Sequence, residues 1–127
     1  MVLVDTSIWI EYLDRLNPLV EREMDVLLRA GVVAIAGLVL AELRQGCRTN
    51  NQAKALLARL QSLPYLEVDR DNWLAAGQMV ADCRGRGHRL EIADCLLAAL
   101  VLRENCLIFT LDQDFKRIPG LQLYAIR

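Results

Sequence analysis

Acidic side chains occur at positions from which an α/β chain could gather them into one site. Asp5 directly follows a short apolar run that predicts a strand, and Asp112 and Asp114 directly follow another such run. Glu42 lies in a predicted helix after a second apolar run, and Asp94 lies near the start of the helix that leads into the last one. Ligands bind at the carboxyl ends of the strands in an open parallel sheet, so these carboxylates are predicted to meet at one edge.

The segment around Asp94 is the most informative part of the chain. Every residue of Ile92–Leu102 is apolar except Asp94, and its leucines and alanines favour a helix that is buried on nearly every side. On such a helix Asp94 shares a stripe with Leu90 and Leu97. A lone carboxylate there costs several kcal/mol unless a proton, a basic side chain, a helix N-terminus or a metal ion compensates it.

A divalent cation would resolve the repulsion within such a cluster of carboxylates. Like charges held close together raise one another's pKa values and destabilise the fold. An all-oxygen set of ligands suits Mg²⁺ or Mn²⁺ better than Zn²⁺, and Mg²⁺ in such a site is usually completed by waters and by substrate phosphates. The chemistry that this arrangement predicts is phosphodiester hydrolysis.

Each carboxylate, taken alone, also has an ordinary structural interpretation. Asp5 could cap a helix, and the two aspartates near the end of the chain could be turn residues. Glu42 could pair with Arg44 or Arg48 on the same helix. The metal-site hypothesis therefore depends on the conjunction of these positions.

The elements that must position these residues alternate between strands and helices. The predicted strands, which are apolar on both faces, are Val2–Val4, Val32–Ala36, Tyr65–Val68, Cys106–Phe109 and an edge strand Leu121–Ile126. Helices are predicted after Asp5, after an Asn17 cap, from Gly37, after an Asn50 or Asn51 cap, over about Arg70–Cys83 and at Ile92–Leu102. This order predicts an α/β fold with a parallel sheet between two helical layers.

Length and composition predict one domain, residues 1–127, with a large core. Hydrophobic residues make up 54% of the chain and the mean hydropathy is +0.24, so a partner could cover part of the surface. No apolar run approaches the roughly 18 residues of a membrane span, and the apolar strand at the N-terminus is unlike a signal peptide, which predicts a cytoplasmic protein. One histidine and four cysteines without a CxxC pair leave little material for a zinc site, and reduced core thiols are expected.

A basic segment precedes the Asp94 helix. The net charge is −1 and gives no global argument for binding nucleic acid, so any such contact must be local. Arg84, Arg86 and Arg89, interleaved with glycines, could contact RNA phosphates near the acidic edge. The alternative is an ordinary solvated loop between two helices.

Four motifs together resemble a known family. They are VLVDTSIWIEYL, AELRQG, IADCLLAAL and FTLDQDF. They resemble the PIN domain and, more closely, the VapC toxins of bacterial and archaeal VapBC toxin–antitoxin pairs. Each motif is weak alone, but the four in this order and spacing are specific and cover essentially the whole chain.

The resemblance implies a PIN-like three-layer α/β/α sandwich with a central, mostly parallel sheet of about five strands. It implies a Mg²⁺- or Mn²⁺-dependent endoribonuclease acting on tRNA, rRNA or mRNA, which forms a homodimer and is neutralised by a VapB-like antitoxin. The implied catalytic residues are Asp5, Glu42, Asp94 and Asp112, and the implied metal ligands are Asp5, Asp94, Asp112 and Asp114. Asp112 matches the fourth acidic position best, and Asp114 is the lower-ranked alternative for it. The hydroxyls expected to orient them are those of Thr6, Ser7 and Thr110.

The antitoxin groove and two competing functions remain open at this stage. Helices Ile8–Leu13 and Gln52–Leu63 are the candidates for the groove, although the helical spacing of Trp9, Tyr12 and Leu13 is equally typical of a core stripe. One alternative function is a PIN nuclease of RNA processing without an antitoxin. The other is a non-catalytic α/β interaction module such as a receiver-like domain, although the acidic pair and the lysine typical of receivers are missing.

Overall fold

The structure, a computed structural model, describes residues 1–126 as strands alternating with helices. The strands are β1 (Val2–Val4), β2 (Val33–Ala36), β3 (Tyr65–Leu66) and β4 (Leu107–Phe109). The helices are α1 (Thr6–Leu13), α2 (Pro18–Arg29), α3 (Gly37–Gly46), α4 (Asn50–Leu60), α5 (Arg70–Gly85) and α6 (Ile92–Glu104), followed by a 3₁₀ turn at Gln113–Arg117.

The four strands form one parallel sheet in the order β3-β2-β1-β4. β1 lies at its centre, with Leu3 opposite Ala34 on one side and Ile108 on the other. The residues of β1 and β2 are buried throughout, as expected of parallel strands covered on both faces. The predicted α/β fold with a parallel sheet of about five strands is confirmed.

The predicted edge strand Leu121–Ile126 is reduced to a single parallel bridge between Leu123 and Ile108. Two backbone hydrogen bonds hold it against β4. Ile108 N donates to Gln122 O at 3.1 Å, and Tyr124 N donates to Ile108 O at 2.8 Å. The segment follows Gly120, whose φ of +79° turns the chain, and it has a neighbour on one side alone. Pairing therefore does not extend into a regular strand.

The helix starts follow the local capping chemistry. Asn17 caps α2 with Pro18 in the first turn, as predicted, and Asp69 forms a reciprocal capping box with Asn72 at the start of α5. The predicted cap of α4 at Asn50 or Asn51 is wrong. Thr49 caps α4 instead, because its hydroxyl accepts a hydrogen bond from Gln52 N at 3.1 Å.

Helix α6 lies in the core, as its composition predicts. Its residues from Cys95 to Val101 are all buried, and it packs against α5. Asn105, in the left-handed conformation with φ 51°, ends it. The cysteines are all free thiols, and Cys83, Cys95 and Cys106 are buried, as expected of reduced core residues. Within residues 1–126, no helix has the length and apolar character needed to cross a membrane.

Candidate active site

The carboxyl edge of the sheet is organised around Asp5, which leaves β1 and caps α1. Its Oδ1 accepts a hydrogen bond from Thr6 N at 2.8 Å, and its backbone N–H donates to Phe109 O at 2.9 Å. The side chain is buried, with 8% of the residue exposed. Asp5 can therefore cap α1 and also belong to a polar cluster, because the cap uses only one of its two carboxylate oxygens.

Two hydroxyl groups fix the other oxygen of Asp5. Thr110 Oγ1 donates to Asp5 Oδ2 at 2.7 Å, and Ser7 Oγ donates to the same atom at 3.1 Å. Each hydroxyl also accepts a hydrogen bond from the backbone. Leu111 N donates to Ser7 Oγ, and Asp112 N donates to Thr110 Oγ1. These bonds join the end of β1 to the end of β4 and set the direction of the carboxylate.

Glu42 reaches the same edge from α3. Thr6 Oγ1 donates to Glu42 Oε1 at 2.9 Å, so one glutamate oxygen is oriented and the other carries no hydrogen bond from the described residues. The structural alternative, a pair with Arg44 or Arg48, is not observed, since Arg44 donates to Asn50 Oδ1 at 3.3 Å. Glu42 is exposed and faces outward from its helix.

The aspartates after β4 lie in different surroundings. Asp112 caps the 3₁₀ turn, because its Oδ1 accepts from Asp114 N at 2.9 Å. The Asp114 carboxylate lies 3.9 Å from Arg117 Nε. Asp112 thus combines a turn role with a free second oxygen, whereas Asp114 faces a cation.

Asp94 lies in the first turn of α6, half-buried, with no hydrogen-bond donor or basic partner among residues 1–126. Burial raises its pKa from 3.8 to about 6, and the negative charges of four other carboxylates add to this rise. In decreasing order of effect these are Asp112, Asp5, Glu42 and Asp114. The structure therefore brings all the predicted acidic residues within electrostatic reach of Asp94.

These residues suit a hard cation that is only partly enclosed by protein. The donor set is all oxygen, and Asp94 has its charge opposed by nothing in the described chain. Among residues 1–126, no three acidic, histidine or cysteine side chains stand in an arrangement that would hold a metal ion by itself. Mg²⁺ fits this arrangement best, since it is usually held by one or two carboxylates and keeps several waters.

Comparison with known proteins identifies the family of this chain. The sequence profile of the PIN domain matches residues 2–121. The chain belongs to the PIN-domain family. Among curated PIN-domain relatives, Ribonuclease VapC11 of Mycobacterium tuberculosis is 34% identical over 134 aligned positions, which cover 100% of both proteins. Ribonuclease VapC2 of Rickettsia felis is 26% identical, covering 95% of this chain and 94% of the relative.

Solved structures share the PIN fold over nearly the whole chain. VapBC2 from Rickettsia felis, bound to a DNA fragment from its promoter, has a TM-score of 0.81 at 24% identity and covers 98% of both chains. VapC20 of Mycobacterium tuberculosis, described as a Sarcin-Ricin loop cleaving toxin, has a TM-score of 0.68 at 20% identity and covers 91% of this chain and 93% of that one. At identities this low, the likeness shows the shared fold.

The basic loop of this PIN domain contacts the 3₁₀ turn that follows Asp112. Arg84 ends up inside α5, because the helix continues to Gly85 rather than ending at Cys83 as predicted, and Arg86 is its C-cap. Arg84, Arg86 and Arg89 are all exposed. The loop contacts the 3₁₀ turn through His88, whose Nδ1 lies 2.9 Å from Arg117 Nη1. The sequence gives no sign that His88 and Arg117 meet, because their contact joins two distant segments.

A groove of about 590 Å³ opens next to Glu42, between α1, α3 and α4. Its apolar lining comes from Ile10, Leu13, Leu43 and Leu56. The two helices predicted to supply a groove do so, but with different side chains in part. Trp9 is buried in the core and Tyr12 bonds to Asp25 at 2.7 Å, so of the predicted stripe only Leu13 lines the groove. Ile10, which follows Trp9 on α1 and is exposed, lines the groove but was not among the predicted residues.

Proposed function

We propose that this chain is the toxin of a VapBC-type pair, a divalent-metal-dependent endoribonuclease. The observation that carries the proposal is the convergence of oriented carboxylates on Asp94, which has no cation of its own among the described residues. Whole-length similarity to proteins named VapC ribonucleases supports the same activity.

The roles of the acidic residues follow from which oxygens are already committed. Asp94 and Asp112 have carboxylate oxygens without a hydrogen bond from the described residues, so we assign these two to hold the ion. Asp5, whose oxygens accept hydrogen bonds from Thr6, Ser7 and Thr110, would complete the site in part through bound water. Asp114 is a weaker candidate because Arg117 lies against it. When bound, Mg²⁺ or Mn²⁺ supplies Lewis-acid stabilisation of the charge that builds on the RNA phosphate during in-line attack.

Glu42 is the residue best placed to move a proton. Thr6 fixes its Oε1, which leaves Oε2 free to accept a proton from an attacking water. Water attacks the phosphorus, the bond from phosphorus to the ribose 3′-oxygen breaks, and the products are a 5′-phosphate and a 3′-hydroxyl. This route does not need the RNA 2′-hydroxyl as nucleophile. A preference for RNA must therefore arise in binding, for which Arg84, Arg86 and Arg89 are the proposed contacts.

The groove beside Glu42 is the proposed binding site of a VapB-like antitoxin. Its apolar lining suits an amphipathic segment, and Glu42 itself is one of its polar residues. A segment bound there would therefore cover the proposed proton acceptor. Leu56→Asp should weaken neutralisation by a co-expressed antitoxin and leave cleavage intact. Leu74→Asp is the matched control, because Leu74 is 66% exposed and lies outside the groove. Equal neutralisation of both variants would contradict this placement.

The nuclease itself is tested with purified protein freed of any partner, incubated with a total small-RNA pool in Mg²⁺, Mn²⁺ or EDTA. We expect discrete fragments that vanish with EDTA and in Asp94→Asn. Asp82→Asn, the same change on the exposed face of α5, should cleave like wild type. No cleavage by folded wild-type protein in either metal would refute the proposal and favour a non-catalytic module.

The homodimer and the cytoplasmic location remain predictions, which light scattering and cell fractionation would check.

A further inference from the structure

Arg117 and His88 form a polar pair that the acidic site does not use. Arg117 Nη1 lies 2.9 Å from His88 Nδ1. A guanidinium only donates hydrogen bonds, so Nδ1 must accept, and the imidazole proton then lies on Nε2. The pair consequently presents two kinds of donor, the remaining guanidinium N–H groups and the His88 Nε2–H.

The pair is held in place by the segments on both sides of it. Asp114 lies 3.9 Å from Arg117 Nε and fixes one side of the guanidinium. The Cys83 thiol lies 4.0 Å from the Arg117 carbonyl oxygen, and Arg86 Nη2 donates to the Cys83 sulfur at 3.2 Å. The basic loop is thereby docked on the 3₁₀ turn that follows Asp112.

Several cationic groups of the 3₁₀ turn and the basic loop have no anionic partner among the described residues. Arg117 Nη2 has no partner among residues 1–126, and about half of the Arg117 side chain is exposed. The guanidinium groups of Arg84 and Arg89 have no ion-pair partner in the described chain, and the partner of Arg86 is a neutral thiol. Arg117 lies beside Asp114, one of the carboxylates of the acidic edge, and these carboxylates would repel an RNA backbone unless nearby groups attracted it.

From this geometry we infer that Arg117, oriented by His88, binds an RNA backbone phosphate next to the one that is cleaved. The inference rests on the proposed nuclease function and adds substrate-binding residues to it. A planar guanidinium matches a phosphate through two parallel N–H bonds. Nη1 of Arg117 contacts His88 and Nε lies near Asp114, which leaves Nη2 without a partner among the described residues. Arg117 binds the substrate, and His88 is a positioning residue with one donor of its own.

Binding is measured by fluorescence anisotropy with a labelled single-stranded RNA dodecamer of mixed sequence, in Mg²⁺ and on an Asp94→Asn background that prevents cleavage. Phosphate contacts are independent of base sequence, so the probe need not be the natural target. Arg117→Gln should weaken binding about fivefold and lower the slope of log K against log salt by about 0.7, the loss of one phosphate contact on a single strand. Arg22→Gln, on the exposed face of α2, is the matched control and should leave the slope unchanged.

His88 variants separate orientation from direct contact. His88→Ala should weaken binding through Arg117, whereas His88→Asn retains an acceptor near the Nδ1 position and should recover part of the loss. Thermal melts of each variant verify folding, and Arg117→Lys, which keeps the charge without the planar fork, should fall between wild type and Arg117→Gln.

Cleavage of the small-RNA pool by the same variants without Asp94→Asn separates the two proposals. We expect Arg117→Gln to raise KM and to leave kcat nearly unchanged. If wild type cleaves while Arg117→Gln matches Arg22→Gln in slope and in KM, the phosphate site is refuted and the nuclease stands. If folded wild type neither cleaves nor binds RNA, both proposals fail.

Discussion

Replacing the Asp94 carboxylate with an amide should stabilise the metal-free protein at neutral pH. Asp94→Asn keeps the shape of the side chain and removes a charge that burial and four neighbouring carboxylates disfavour. The rise in pKa from 3.8 to about 6 sets a ceiling of about 3 kcal/mol. Because the side chain is only half-buried, solvent screening reduces the expected gain to about 1–2 kcal/mol, or about 5 °C in Tm.

The effect has a defined dependence on pH. The pKa of Asp94 is higher in the folded than in the unfolded chain, so the folded protein binds this proton more tightly. The stabilising contribution of protonated Asp94 is fully present below about pH 4 and is lost as the pH rises through about 6. The difference in unfolding free energy between Asp94→Asn and wild type should therefore be small at about pH 4 and reach its full size above about pH 7.

Denaturant unfolding in EDTA at several pH values between about 4 and 8 measures this difference, with Asp82→Asn as the exposed control. Adding Mg²⁺ should then stabilise wild type more than Asp94→Asn, because a ligand that binds only the folded state shifts its equilibrium. The reasoning is refuted if Asp94→Asn is less stable than wild type in EDTA at about pH 7.5, or if the difference does not vary with pH.

Substitutions at four further residues test the acidic edge and one polar contact outside it. Thr110→Val should lower kcat about tenfold or more by freeing a carboxylate oxygen, and Thr110→Ser, assayed beside it, should retain most of the activity. Asp112→Asn should abolish cleavage, whereas Asp114→Asn should keep a measurable fraction of it in the same gel assay, because Asp114 faces Arg117. Arg103→Leu, which removes hydrogen bonds to Asp69 and to the Glu67 carbonyl, should lower the free energy of unfolding by about 1–3 kcal/mol with kcat per folded molecule unchanged.

The strands and the Asp94 helix were predictable because their signals are local. Val2–Val4 and the run ending at Phe109 are continuous apolar stretches that directly precede acidic turns, and only a buried strand fits both features. The helix around Asp94 is apolar on all sides, so its burial follows from composition alone. Placing the carboxylates at one edge then needed only the rule that parallel strands share a carboxyl end.

The resemblance implied that Thr6, Ser7 and Thr110 orient the carboxylates, and hydrogen bonds from all three are observed. Which carboxylate each hydroxyl contacts was not predictable, since it depends on contacts between distant segments. Thr110 meets Asp5 across 105 positions of sequence, and Thr6 meets Glu42 across 36. The pairing of Arg117 with His88 spans 29 positions and joins two segments whose sequences indicate only turns. The first two contacts are fixed by the pairing of β1 with β4 and by the packing of α1 against α3, and single-sequence patterns carry no information on either.

The structural and the chemical interpretations of the aspartates prove compatible rather than competing. A carboxylate has two oxygens, and at Asp5 and Asp112 a backbone N–H takes one of them. The second oxygen of Asp112 carries no hydrogen bond from the described residues, whereas that of Asp5 accepts from Thr110 and Ser7. In both cases the bonds restrict rotation of the carboxylate, so less ordering is needed when an ion binds. Helix and turn starts are therefore suitable places for metal ligands at a sheet edge. Asp94, which has no such bond among the described residues, is the position where the charge is least compensated by the fold, and binding of a cation should stabilise the protein most strongly there.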